Sequence, residues 1–207
     1  MNQQQLTEQL KRAGVDFCFI QRQYDNQLLK FIVIGDNPGK EEMKQRDFFV
    51  GPSGKALRRF FSENGLSSDF NKECRVFSKT CIHTARTHEL SIARKKTGRQ
   101  LFEAILENNA SEAAALANML KLPVLVLGKS QLSKGGLFEA FWHKLQHDLH
   151  DRKQLLVFNH PSRNMLAVEW KKYREQFPKL NERDLLEKIG ADNAERIGAS
   201  YIKKIPV

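Results

Sequence analysis

A carboxylate and an amide side by side, Asp36 and Asn37, and an imidazole more than a hundred residues later, His160, are the side chains of this chain best placed for chemistry. Each group follows a short apolar run that enters a polar turn, KFIVIGDNPG and LLVFNHPSRN. That arrangement sets reactive groups at the carboxyl end of a parallel sheet. A carboxylate there can orient or deprotonate water, and an imidazole can hydrogen-bond a group that gains negative charge. In GDNPG, Gly35 and Gly39 permit a tight turn and Pro38 stiffens it, which aims Asp36 and Asn37 into a cleft. Taken alone, GDNPG also suits the strand-to-helix turn of any α/β protein, and a lone histidine after a strand is commonly a structural hydrogen-bonding residue.

The elements that must position these groups are legible from periodicity. FIVIG (31–35), LPVLVLG and LLVFNHP are continuous apolar runs of the kind buried on both faces of a parallel sheet, RVFSKTCI is a further strand, and FCFIQ (17–21) reads as a strand as well. Helical spacing marks residues 5–13, KALRRFFSENG with Leu57, Phe60 and Phe61 inward and Gly65 as its stop, GGLFEAFWHKLQHDLH with Phe138, Phe141 and Leu145 on one face, and the stretch around EWKKYREQF. TGRQLFEAILENNASEAAALANMLK holds one long helix or two consecutive ones. NERDLLEKIG and NAERIGASYIKKI read as two terminal helical segments that pack on the sheet edge or reach outward. Alternating strands and helices predict a three-layer α/β/α sandwich with a mainly parallel central sheet, one domain over residues 1–207 with a C-terminal helical extension from 181.

Thirty-four Lys and Arg against 24 Asp and Glu give a net charge of +10, spread along the chain, which favours an anionic partner such as nucleic acid and also suits ribosomal or acidic-protein partners. The three cysteines, Cys18, Cys74 and Cys81, form no CxxC pair and read as free thiols of a reducing compartment. The first residues lack the apolar core of a signal peptide, and no apolar run reaches the ~18 residues of a membrane helix. These features predict an intracellular, soluble protein without membrane contact; a cytoplasmic, nucleoid-associated monomer is expected. His143, His147 and His150 can share a helix face, but no acidic or cysteine partner makes a metal site convincing, so neither a metal nor another cofactor is expected.

The stretch GDNPGKEEMKQRDFFVGPSGKAL resembles, without a gap, the pattern GEAPGxxEDxxGxPFVGxAGxLL of family four of the uracil-DNA glycosylase superfamily, and NHPSRN resembles its HPSPLS. The resemblance spans residues 28–175. It implies the uracil-DNA glycosylase fold and a monofunctional DNA N-glycosylase of base excision repair, which flips a deaminated base out of DNA and hydrolyses its glycosidic bond. Asp36 falls on the acid that helps water attack the sugar, Glu42 on a later glutamate, and Phe49 on the ring that stacks on the flipped base, with Gly35 beside it. Asn37 stands where other branches place an asparagine and is a second candidate for positioning water. His160 falls on the histidine that stabilises the leaving base. Ser53, Ser162, Arg163, Asn164 and Met165 are the expected DNA contacts, with Asn164 at the place of the usual leucine wedge and Met165 one residue beyond it. A helix cap at Ser162 or Asn164 is the structural alternative.

Two departures from the family stand out. The four cysteines of its iron-sulfur cluster are missing, so no cluster is expected. Where the family has an asparagine that reads the base edge, this chain has Lys79 in SKTCIHTA, which can donate to a base oxygen but cannot accept from N3–H. A shift of one residue would put Ser78 there instead, and His83 and Arg86 follow toward the cleft. The leading expectation is a glycosylase for uracil or a related base. The alternative is a catalytically weak or inactive relative that binds DNA or a nucleobase, with a nucleoside N-glycosidase as a third reading.

Overall fold

The computed structural model describes residues 2–202. Four strands, β1 (Phe31–Gly35), β2 (Cys74–Ser78), β3 (Val124–Leu127) and β4 (Leu155–Phe158), form one sheet in the order β2-β1-β3-β4, with every neighbour parallel. All residues of β1, β3 and β4 are buried, so continuous apolar runs mark strands covered on both faces. The helices are α1 (Gln3–Arg12), α2 (Lys40–Gln45), α3 (Pro52–Glu63), α4 (Phe70–Glu73), α5 (Leu90–Thr97), α6 (Arg99–Leu120), α7 (Glu139–Asp148), α8 (Met165–Gln176) and α9 (Glu182–Ile202).

Strand alternation sorts the core into two layers. Ile32, Ile34, Val124, Val126, Leu155 and Val157 face α5, α6 and α7, where Phe102, Phe141 and Trp142 lie without solvent contact. Phe31, Val33, Leu125, Leu127, Leu156 and Phe158 face α3, α8 and part of α9. The predicted α/β/α sandwich is therefore present. Gly65, at a positive φ of 62°, follows α3 and ends it as its position predicts.

Three expectations differ from the observed elements. FCFIQ is not a strand: Phe17 makes one isolated antiparallel bridge with Ile82, and on the neighbouring edge strand β2 the outward Val76 N–H and Ser78 carbonyl are met by side chains instead of a ladder. RVFSKTCI is a strand only as far as Ser78, and the next residue, Lys79, turns its side chain inward beneath Asp36. The two terminal segments are one continuous helix, α9, which packs along the edge strand β4; residues 203–205 of the predicted second segment lie outside the described residues. The stretch from Arg99 to Leu120 is a single helix.

One helix-borne residue ties α9 to the end of β4. Asn193, 1 % exposed, donates to the Val157 carbonyl at 2.9 Å and to Glu169 at 3.0 Å, and accepts from Lys129 at 3.0 Å. Glu169 also takes Lys129 at 2.6 Å and the backbone N–H of Asn159 at 3.3 Å, directly before His160. Replacing Asn193 by Leu orphans buried polar groups, and chemical denaturation is expected to show a loss of about 1–3 kcal/mol.

Candidate functional site

The carboxyl ends of β1, β2 and β4 converge on a cleft of about 320 Å³ lined by Gly35, Asp36, Asn37, Phe49, Ser53, Ser78, Thr84, Thr87 and His160, among others. Asp36, Asn37, Gly35, Phe49, Ser53 and His160, named from the sequence, are thus brought together. Connections leave parallel strands at this end, so groups distant in the chain meet there.

Asp36 follows β1 and is 8 % exposed. Its Oδ1 accepts from Lys79 Nζ at 2.5 Å, and its Oδ2 accepts from the Thr87 hydroxyl at 3.4 Å, on the side where Thr87 joins the cleft wall. Gly128, just after β3 at φ +82°, makes this seat possible: a Cβ there would lie 2.5 Å from Asp36 Oδ1. Nothing but a glycine at the end of an apolar run hinted at that role in the sequence.

Lys79 is not where a base-edge contact requires it. Its side chain is fully buried, beneath Asp36, with Nζ bonded to that carboxylate and to the Leu127 carbonyl and lying 4.8 Å from the centre of the Phe138 ring. Burial lowers its pKa, against the pull of Asp36. A buried ammonium needs a carboxylate and further acceptors, and this is the spot that supplies both. Ser78, the alternative in the alignment, lines the cleft. His83 and Arg86 do not line it; His83 Nδ1 is 2.8 Å from the Pro38 carbonyl, and Thr84, Ala85 and Thr87 form this wall.

Asn37 spends its amide hydrogens on the turn. Nδ2 donates to the carbonyl and hydroxyl of Thr84 at 3.2 and 3.0 Å and to the Pro38 carbonyl at 3.2 Å, which locks GDNPG to the loop after β2. Only its Oδ1 is left to face a ligand.

Phe49 is held in the left-handed region at φ 52°. Arg58 takes its carbonyl and, at 3.2 Å, that of Phe48. The Phe49 ring lies on β1, so that a Cβ on Gly35 would come within 2.9 Å of its Cζ, and a Cβ on Gly54 would run into its carbonyl at 1.7 Å. Glu42 closes the same turn, accepting from Gly51 N at 3.1 Å. The spacing of Phe49, Gly51 and Gly54 is thus a packing requirement of one loop. Ser53 lies in the first turn of α3, whose free N–H groups and dipole suit an anion.

His160 follows β4. Its Nδ1 accepts the Ser162 backbone N–H at 3.1 Å, with the Ser162 hydroxyl at 2.9 Å. Accepting from a backbone amide requires Nδ1 to be unprotonated, so the neutral ring carries its proton on Nε2. Burial lowers the histidine pKa, Asp36 opposing and Lys79 adding to the shift. The ring is therefore a neutral donor near neutral pH. Beyond it, Ser162, Arg163 and Asn164 form a single exposed 3-10 turn in which Arg163 and Asn164 both take left-handed backbone angles, φ 54° and 57°. Met165 is 45 % exposed at the start of α8. These four residues stand beside the cleft and do not line it.

Among the described residues no helix is long and apolar enough to cross a membrane. No curated protein matches the chain significantly. Residues 22–183 match the family model described as "UDG: Uracil DNA glycosylase superfamily". With that match over most of its length, and with the parallel sheet and cleft described above, the chain belongs to the uracil-DNA glycosylase superfamily, whose members generally hydrolyse N-glycosyl bonds and act on DNA.

Proposed function

We propose that the protein is a monofunctional DNA glycosylase that binds an extruded deaminated base in this cleft and hydrolyses its bond to the sugar. The observation that carries this reading is the convergence of Asp36, Phe49 and His160 on one cleft from three separate parts of the chain. Glycosidic cleavage builds positive charge on the sugar and negative charge on the departing base. The Asp36 carboxylate faces the first and orients water through Oδ2. The Nε2–H of His160 bonds the base oxygen and stabilises the second, as a neutral donor that needs no proton transfer. Phe49 stacks on the base, a contact worth about 1–3 kcal/mol. Ser53 and Ser162 meet phosphates, while Arg163, Asn164 and Met165 enter the gap left by the extruded nucleotide.

The Lys79 ion pair favours the second reading, a relative that binds DNA or a base with little turnover. An ammonium on Oδ1 offsets the charge with which Asp36 would stabilise the sugar cation. The deciding experiment is an oligonucleotide cleavage assay with uracil, hypoxanthine or xanthine in single- and double-stranded DNA, with alkali to break abasic sites. Cleavage supports the glycosylase and names its base. Salt-sensitive binding without cleavage of any substrate supports the binding protein. In the active case, His160→Ala is expected to slow single-turnover base release by about 10²–10³-fold, the range for losing one donor to a developing anion. Equal rates for the variant and the native chain would remove His160 from the chemistry.

A further inference from the structure

A second cavity, of about 530 Å³, lies on the outer edge of β2 and shares Pro38, Phe48 and Ser78 with the cleft. It exists because residues 17–24 run beside β2 without pairing to it as a strand. Lys79 N donates to the Gly35 carbonyl of β1, so the alternate residues Cys74, Val76 and Ser78 turn their backbone groups outward. Two side chains close part of this edge. Tyr24 Oη accepts from Val76 N at 3.2 Å, and Asn109 Nδ2 donates to the Ser78 carbonyl at 3.1 Å. Between them the Val76 carbonyl and the Ser78 N–H meet no partner among the described residues.

One acceptor and one donor, two residues apart on a strand edge, are too few to hold an added strand but match a planar ring that carries an N–H beside a ring acceptor or carbonyl. The walls suit such a ring. Phe19, Tyr24, Phe48 and Phe77 line the cavity, and the Arg75 guanidinium lies 4.3 Å from the Tyr24 ring centre and 5.4 Å from that of Phe77. Arg75 Nε is buried without a partner, a further donor to be satisfied. The volume falls within the ~300–1,000 Å³ of small-molecule sites.

We propose that this cavity is a second binding site, for a nucleobase held by its N–H/acceptor edge on Val76 and Ser78. Uracil and hypoxanthine present that edge. The base arrives from the adjoining cleft as a released product or from solution as a mononucleotide. The site is independent of whether the cleft cleaves DNA.

The test is a titration of the ¹⁵N-labelled full chain, without DNA, with uracil, hypoxanthine, uridine 5′-monophosphate and 1,3-dimethyluracil. Backbone amides of Ile20 and Val76 report the cavity, and those of Asn37 and Gly51 report the cleft. Uracil or hypoxanthine should shift Ile20 and Val76 in a saturable way, and 1,3-dimethyluracil, of similar shape but with no N–H, should bind at least tenfold more weakly there. Binding of the free bases in preference to the monophosphate identifies a product site, and the reverse identifies a nucleotide site. Asn108→Trp, which fills the cavity from α6, should abolish the shifts at Ile20 and Val76 and leave those at Asn37 and Gly51 intact. Equal binding of the dimethylated base, or no cavity shift with any ligand, overturns the proposal even if the protein excises bases from DNA.

Discussion

Asp36→Asn is expected to lower the single-turnover rate of base excision by about 10²–10⁴-fold, the usual worth of a positioned acid or base. The amide keeps the shape of the side chain but loses the charge that faces the sugar cation, so DNA binding should change far less than turnover. The variant also leaves Lys79 buried without its carboxylate. Burial already lowers the lysine pKa, and losing Asp36 removes the interaction that opposes the shift. The unfolded chain then binds a proton that the folded chain resists, so the stability of the variant should rise with pH up to the ordinary lysine value of about 10.4 and fall as pH drops toward the folded value. Denaturation curves at several pH values check this. An excision rate equal to that of the native chain would sink the assigned role.

Lys79→Met should cost about 3–5 kcal/mol of folding stability, because a nearly buried carboxylate loses its counter-charge. That is a large share of the ~5–15 kcal/mol that holds a typical domain together. The double variant Asp36→Asn/Lys79→Met should regain most of the loss, since removing both charges leaves neither one unpaired, while excision stays as low as in Asp36→Asn alone. This separates the pair's work in folding from the carboxylate's work on substrate. If the two single losses simply add in the double variant, Lys79 and Asp36 are not coupled as their 2.5 Å contact implies.

A base-edge role for Lys79 predicts instead a change of substrate preference with little change in stability. The full burial of its side chain favours the stability effect. Ser78, whose hydroxyl can both donate and accept, is the better placed of the two neighbours to meet a base.

Much of the fold is legible in the amino-acid sequence. The β1, β3 and β4 runs are buried on both faces, so their apolar character is continuous and cannot be mistaken for a half-exposed strand. Leu57, Phe60 and Phe61 mark the inward face of α3, and Phe138, Phe141 and Leu145 that of α7, because burial repeats with the helical turn. FCFIQ misled because its aromatic and β-branched residues suit a strand, yet pairing depends on whether the neighbouring edge is free, and Tyr24 and Asn109 hold part of that edge. The break between the two predicted terminal helices does not exist, since burial of Leu185, Leu186, Ile189 and Ile197 against the sheet carries α9 through Gly190.

The sequence by itself determined the strand-and-helix alternation, the turn that presents Asp36, the glycines that Phe49 needs and the histidine after the last strand, because each is written in local residue type and spacing. Only the tertiary structure decided that Lys79 turns inward to Asp36 and that Gly128 leaves room for the carboxylate. These depend on which strand ends lie side by side, and distances between groups far apart in the chain are set by the sheet order, which no local pattern records.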